Sequence, residues 1–174
     1  MNETINTIIT RRSIKNYKDT PVSRHLIDEI TRSATYSASG MNKQSAVMVV
    51  VTNKVLRDKL SRLNASILNT DKDPFYNAPV VIVVLADSNV RTYIEDGSLV
   101  MGNLMNAAFS VGVGSCWIHR AKEMFETEIG KELLKEWGLS DSYKGIGNCI
   151  LGYPADQIDP LPKPRKENYI IYKE

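Results

Sequence analysis

The chain has 174 residues, a length typical of a single domain. Hydrophobic residues make up 43% of the sequence and charged residues 24%, which argues against a disordered or fibrous protein. Because 22 basic residues stand against 20 acidic ones, the net charge of +2 leaves no overall field that would favour nucleic acid or an anionic membrane. We therefore expect one domain over residues 1–174, in which any anion site depends on a local cluster of charges.

The first half of the chain predicts three helices and one strand. Isoleucines at helical spacing indicate a short helix over residues 3–11, and Ser23 is placed to cap a second helix that stops near the polar loop 36–45. The run AVMVVV at 46–51 is apolar on both faces, which predicts a central strand. The third helix follows from the spacing of Leu56, Leu60, Leu63 and Ile67.

The second half continues the alternation of strands and helices. VVIVVLAD at 80–87 predicts a buried strand, a long helix follows over about 90–111, and GVGSCWI leads into a third strand. Apolar positions from Met124 to Trp137 indicate one amphipathic helix that ends at Gly138. IGNCILGYP predicts the fourth strand. Strands spread among helices in this way indicate a mixed α/β or α+β domain.

The sequence has no features that predict secretion or membrane insertion. The N-terminal segment lacks the apolar core of a signal peptide, and the apolar stretch 98–118 is interrupted by polar residues and glycines. Cys116 and Cys149 lack metal-ligand or redox spacing, so we expect them to be reduced, buried thiols. We expect a cytoplasmic protein with no membrane partner.

The C-terminal arm, residues 158–174, combines prolines with an apolar end. Pro160, Pro162 and Pro164 favour an extended connection, and NYIIY predicts a short final strand. Left alone, this strand would expose an apolar edge. It either pairs within its own sheet or reaches a partner chain.

The sequence lacks the common nucleophile and metal-binding motifs. His25 and His119 have no ligand partners at suitable spacing, and GVGS at 112–115 is not a dinucleotide-binding fingerprint. Three polar clusters remain, which are RRSIK at 11–15, SASGMNKQ at 37–44 and PKPRKE at 162–167. The basic clusters suit a phosphate and the middle one suits the edge of a ligand pocket. Taken alone, each basic cluster is more often a solvated surface, and the middle one is equally compatible with a plain loop.

These clusters are part of a wider resemblance. RRSIKNY, YSASGMNKQ, FYNAPVVIVV, DGSLVMGNLMNAAFSVGVGSCWI, LGYP and PLPKPRKEN stand in the order and approximate spacing of the nitroreductase family of FMN-dependent flavoproteins. The resemblance covers nearly the whole chain. It implies an α+β fold with a central, mostly antiparallel sheet flanked by helices, and a homodimer in which the C-terminal strand is exchanged between subunits.

The resemblance also implies a set of FMN contacts. They are Arg11, Arg12, Ser13, Lys15, Ala38, Ser39, Gly40, Asn42, Trp117, Ile118, His119, Arg120, Lys163 and Arg165. Within this set, Arg11 and Ser13 would hold the phosphate and ribityl end, while Lys15 would lie near the N1/O2 edge of the ring. The loop 38–42 would come from the partner subunit, and the main-chain N–H groups of 117–120 would face the N5/O4 edge.

The C-terminal arm would complete the phosphate site. Lys163 and Arg165 would bind the phosphate from the arm of the same chain, and Arg12 would contribute through its backbone or its side chain. We expect no catalytic side chain and no metal, because the flavin carries the hydride chemistry, with Lys15 stabilising the reduced ring.

The activity implied by the resemblance is a ping-pong reaction, in which NAD(P)H reduces the flavin and a nitroaromatic or quinone then oxidises it. A flavin-binding sensor or storage protein with the same fold is the alternative, and a small nucleic-acid binder using the two basic clusters is a weaker one. The sequence departs from the family pattern at QSAV, where an aromatic residue is common, and at WIHRA, where a glycine is common. A further flavin contact from the third helix would come from Asn64 or Asn69.

Overall fold

A computed structural model describes residues 2–157 and 161–174 of the chain. Its helices are α1 Glu3–Thr10, α2 Arg24–Ala34, α3 Lys54–Leu68, α4 Tyr93–Ser110, α5 Ala121–Glu126 and α6 Glu128–Glu136, with a 3₁₀ turn at Gly40–Asn42. Its strands are β1 Ala46–Val51, β2 Val80–Asp87, β3 Gly114–Ile118 and β4 Tyr143–Gly152. The first three residues of the expected C-terminal arm, 158–160, lie outside the described residues.

The four strands form one antiparallel sheet in the order β1-β2-β4-β3. Helices cover both faces, which confirms the expected α+β fold with a mostly antiparallel sheet. The prediction that β1 is a central strand is wrong within this chain, because β1 lies at the edge of the sheet and pairs only with β2 among the described strands. Most of its side chains are half-buried, and Val50 is 40% exposed.

The core lies in two layers on either side of β2, whose side chains alternate between them. Val81, Val83 and Leu85 enter a cluster built with α3, α5 and α6, while Ile82 and Val84 enter a second cluster built with α2 and α4. Residues Val80 to Ala86 of β2 are at most 2% exposed. Full burial of each such aliphatic side chain contributes roughly 1.5–3 kcal/mol to folding, so the central strand is held rigidly between the layers.

Polar side chains determine where several helices begin. The Oγ of Ser23 accepts a hydrogen bond from the N–H of Leu26, as expected for the cap of α2. The prediction of one helix from Met124 to Trp137 is wrong, because the chain becomes extended at Thr127 and starts again as α6. The Thr127 Oγ1 accepts from the N–H of Gly130, which gives α6 its own cap.

The apolar C-terminal end does not pair within its own sheet. Tyr169, Ile170, Ile171 and Tyr172 are 68–81% exposed, and none of these residues lies in a strand. The first of the two fates expected for NYIIY is therefore wrong for the described chain.

Among the described helices, none is long and apolar enough to cross a membrane.

Candidate functional site

The N-terminal basic motif is an extended segment that lies along the start of β3. Helix α1 ends at Thr10, and the N–H of Ile14 then donates to the carbonyl oxygen of Ser115 at 2.9 Å. Ser13 forms an isolated parallel bridge with the same residue of β3. The hydroxyl of Tyr17 donates to the carbonyl of Ile14 at 2.6 Å, which fixes the end of the segment.

Arg11, Ser13 and Lys15 act on one region of the protein, as expected for alternate residues of an extended segment. Burial is the largest influence on the Cys116 thiol and raises its pKa, whereas a hydrogen bond with Ser13 and the charges of Lys15 and Arg11 oppose this rise. Alternation along the segment, together with these influences on Cys116, places the three side chains on the same side of the segment, near β3.

Arg11 carries a hydrogen-bond donor that lacks an acceptor. Its Nη1 is buried and has no hydrogen-bond partner among the described residues. An unsatisfied buried donor costs about 1–3 kcal/mol, and more when the group is charged. A guanidinium group of this kind, beside a hydroxyl and an ammonium, fits an anionic ligand such as a phosphate.

The neighbouring Arg12 is used differently. Its Nη1 donates to the carbonyl oxygens of Ile9 and Arg11 at 2.9 and 2.8 Å, so part of this guanidinium caps the C-terminus of α1. A shallow cavity of about 250 Å³ next to it is lined by residues 12–16 and by Pro154, Asp156 and Gln157. The ammonium of Lys15 lies 5.6 Å from the centre of the Tyr76 ring.

The loop expected to contribute Ala38, Ser39, Gly40 and Asn42 is fixed to the start of α4. Asp96 accepts hydrogen bonds from the N–H of Gly40 at 2.9 Å and from the hydroxyl of Ser45 at 2.7 Å. A Cβ at position 40 would collide with Thr92, so the close approach requires glycine.

The same loop is locally strained. Met41, Asn42 and Gln44 have φ values of 50–53° in the left-handed region. The N–H of Gln44 donates to the Oγ of Ser39, and its side-chain amide donates to the Oδ1 of Asn42. Hydrogen bonds within the loop therefore hold a strained backbone that leaves Met41 89% exposed. Strain of this kind is typical of a functional surface and is not needed in a loop that only connects two elements.

Asp96 is expected to control the stability of this loop. Burial favours its neutral form, but hydrogen bonds from Gly40, Ser45 and Thr92 outweigh burial and lower its pKa. We expect Asp96→Ala to lower the free energy of unfolding by about 2–3 kcal/mol in chemical denaturation, because the buried hydroxyl of Ser45 and the half-buried N–H of Gly40 lose their acceptor. Glu95→Ala, which removes an exposed carboxylate from the same first turn of α4, is the control and should change stability little. Equal effects of the two variants would contradict this role.

The sign of the pH dependence follows from the lowered pKa of Asp96. Its stabilising contribution is present above the ordinary aspartate pKa and is lost as pH falls through the lower pKa of the folded state. The difference between the parent protein and Asp96→Ala should therefore shrink in acid. A difference that stays constant down to pH 2 would contradict the role of the ionised carboxylate.

The end of β3 and the turn after it contain the remaining expected contacts. Trp117 is half-buried, Ile118 is 7% exposed and His119 is exposed. Arg120 has φ 72° and ψ 13°, so an arginine occupies the left-handed conformation that glycine adopts most easily. The departure from the family pattern at WIHRA therefore lies at a position where glycine would be unstrained.

The flavin contact expected from α3 could come from either of two asparagines, Asn64 or Asn69. Asn69 is exposed and ends α3 in a left-handed conformation, whereas Asn64 is 0% exposed and donates to the carbonyl of His119 at 2.8 Å. Only Asn64 reaches the turn after β3. A single asparagine within an amphipathic helix carries no sequence signal that distinguishes it from a surface residue.

Lys163 and Arg165 are exposed, and neither has a hydrogen-bond or ion-pair partner among the described residues. They are not brought against Arg11 or Ser13 by any described contact. Their place at the phosphate stays a prediction.

The fold and this cluster together define an α+β protein with a site suited to a phosphate-bearing cofactor. The model of the nitroreductase family matches residues 8–72. A protein of Archaeoglobus fulgidus whose name includes NAD(P)H nitroreductase is 30% identical over 164 residues, which cover 91% of this chain and 90% of that protein. The chain belongs to the nitroreductase family.

Solved structures agree with this assignment. A nitroreductase with bound FMN from Bacteroides fragilis has the same fold, with a TM-score of 0.90, 24% identity and full coverage of both chains. A second one with bound FMN, from Desulfitobacterium hafniense, has a TM-score of 0.88, 25% identity and full coverage of both chains.

Proposed function

We propose that this chain is an FMN-dependent oxidoreductase that takes its reducing equivalents from NAD(P)H. The observation that carries the proposal is the buried, unpartnered Nη1 of Arg11, next to Ser13 and Lys15. Membership of the nitroreductase family and FMN-bound relatives with the same fold support it. When bound, the flavin would accept and deliver hydride at N5, so the protein itself needs to supply binding and electrostatics only.

The N-terminal motif has the chemistry to hold FMN at two points. Arg11 and Ser13 would bind the phosphate and ribityl end through charge-assisted hydrogen bonds, and Arg12 would add to this end. Lys15 would lie near the N1/O2 edge of the ring, where its positive charge favours the reduced form. Lys163 and Arg165 would join the phosphate when the arm is in place.

The turn after β3 and the loop 38–42 would complete the site from two subunits. Residues Trp117 to Arg120 would present main-chain N–H groups to the ring, and Ala38, Ser39, Gly40 and Asn42 would approach from the partner. Met41 within that loop is 89% exposed, which leaves the loop accessible to a second subunit.

A homodimer is part of the proposal. Exposed apolar side chains are most numerous on α1 and at the C-terminal end, including Ile5, Ile8 and Ile171. Because β1 is an edge strand, it offers unpaired backbone groups to which the NYIIY segment of a partner could add as a fifth strand. A dimer of this kind would bury both the apolar tail and the edge.

The acceptor would be a nitroaromatic or a quinone, reduced in the second half of a ping-pong cycle. The names of relatives in the family support a small organic acceptor. A cytoplasmic location is also proposed, and it is supported by two free, buried thiols, Cys116 and Cys149.

The absorbance spectrum of the purified protein tests the proposal. We expect a yellow protein, or one that becomes yellow on addition of FMN, whose flavin band is bleached by NADH or NADPH within the mixing time and returns on addition of a quinone. A protein that takes up no FMN would overturn the proposal. A bound flavin that neither nucleotide bleaches would instead indicate the sensor or storage alternative.

A further inference from the structure

Asn64 connects the core to the turn that follows β3. Its side chain is 0% exposed on α3, yet its Nδ2 donates to the carbonyl oxygen of His119, which lies 55 positions further along the chain. The same Nδ2 lies 3.2 Å from the sulfur of Met124 in α5. The orientation of the amide is determined by these partners, because its oxygen would repel the carbonyl of His119.

This hydrogen bond determines the direction of the next peptide group. In a trans peptide the C=O and the following N–H point in opposite directions. Since Asn64 holds the C=O of His119 toward the core, the N–H of Arg120 points away from the core. Among the described residues no acceptor receives that N–H, while the carbonyl of Arg120 accepts from Met124 at the first turn of α5.

The conformation that results is strained for an arginine. A residue other than glycine costs roughly 1–2 kcal/mol in the left-handed region, and Arg120 has φ 72°. The bond from Asn64 on one side and the start of α5 on the other hold this turn. A buried amide that maintains a strained turn with an outward N–H suits a ligand that accepts a hydrogen bond there.

A direct contact between Asn64 and a ligand is disfavoured by burial. Its side chain is 0% exposed, so protein atoms surround its amide. Its Oδ1 is also buried and has no partner among the described residues.

We propose that Asn64 is a positioning residue, which orients the His119–Arg120 peptide so that the N–H of Arg120 donates to the edge of the flavin ring. The inference rests on the proposed function, because it requires bound FMN. Helix α3 would therefore contribute to flavin binding indirectly, because Asn64 acts through the main chain that follows β3.

Asn148 provides a matched control. It is also 0% exposed, its Nδ2 lies 3.4 Å from the same Met124 sulfur, and its Oδ1 also lacks a partner among the described residues. Its described side-chain contact is with Met124 and does not include the carbonyl of His119. Asn64→Leu and Asn148→Leu therefore remove equivalent buried amides, and only the first releases the peptide.

The test compares both variants with the parent protein by FMN titration, by the visible spectrum of the bound flavin and by its midpoint potential. We expect both variants to melt at similarly changed temperatures. Only Asn64→Leu should weaken FMN binding, by about tenfold for one lost hydrogen bond, and shift the flavin band and the potential. The pair Asn64→Ala and Asn148→Ala serves where a leucine variant does not fold.

Unchanged affinity, spectrum and potential in the Asn64 variants would overturn the inference, and so would equal changes in the Asn148 variants. Both of these results leave the parent protein binding FMN, so they do not affect the proposed function. A parent protein that binds no FMN would overturn both, and it is recognised before any variant is made.

Discussion

Replacement of Arg11 by alanine is expected to weaken FMN binding by about 10- to 100-fold. A charge-assisted hydrogen bond contributes about 1.5–3 kcal/mol, and each 1.4 kcal/mol corresponds to a factor of ten in affinity. The stability of the FMN-free protein should not fall, because the variant removes a buried N–H donor that has no partner among the described residues. Fluorescence titration with FMN and thermal melting of the FMN-free protein measure the two quantities.

A loss of FMN affinity without a loss of stability distinguishes an arginine that binds a ligand from one that has a structural role. Arg32→Ala, which removes an exposed arginine near the end of α2, is the charge-matched control and should leave FMN binding unchanged. If Arg11→Ala melted at a much lower temperature and still bound FMN as the parent does, Arg11 would be a packing residue and the phosphate site would lie elsewhere.

The sequence predicts where the strands begin and end better than it predicts which strands lie next to each other in the sheet. The bounds of β1 and β2 coincide with the apolar runs at 46–51 and 80–87, because Ser45 and Thr52 border the first run and Pro79 and Ser88 border the second. The edge position of β1 was not predictable. A strand that is apolar on both faces has the same sequence pattern whether its second edge pairs with a strand of its own chain or with a partner chain. The apolar period also continues across Thr127, which hides the break between α5 and α6.

The candidate site was predictable only where it depends on the local spacing of residues. Alternation along an extended segment groups Arg11, Ser13 and Lys15 in the sequence, and the structure groups them near Cys116. The burial of the Arg11 guanidinium depends on its packing in three dimensions, and so does the bond from Asn64 to His119. Local spacing contains no information on such contacts between residues that are far apart in the chain.

The largest effect on stability is expected at Asp73, which holds a buried arginine. Arg57 of α3 is 7% exposed and donates to the Asp73 carboxylate and to the carbonyl of Ala78. Asp73 also accepts from the hydroxyl of Ser61 and from the N–H groups of Phe75 and Asn77. The carboxylate thus organises the loop between α3 and β2, which also contains Tyr76 beside Lys15.

Asp73→Ala is expected to lower the free energy of unfolding by about 3–5 kcal/mol, because it removes one of the two carboxylates that pair with the buried Arg57 and also removes the acceptor for Ser61, Phe75 and Asn77. The control is Asp58→Ala, which removes the other carboxylate that Arg57 contacts and should cost no more than about 1 kcal/mol, because its described donors are only Arg57 and the exposed Lys54. Urea denaturation at pH 7 compares the two. A loss for Asp73→Ala no larger than that for Asp58→Ala would contradict the buried-pair account.

Acid provides an independent check on the same carboxylate. Burial alone would raise the pKa of Asp73, but its hydrogen bonds with Arg57, Ser61 and the backbone outweigh burial and lower it. A lowered pKa means that the carboxylate stabilises the fold above about pH 4 and that this contribution disappears as pH falls through the pKa of the folded state. The parent protein should therefore lose stability in acid more steeply than Asp73→Asn does, and the two unfolding curves should approach each other. Curves that remain parallel down to pH 2 would show that the ionised form of Asp73 does not stabilise the loop.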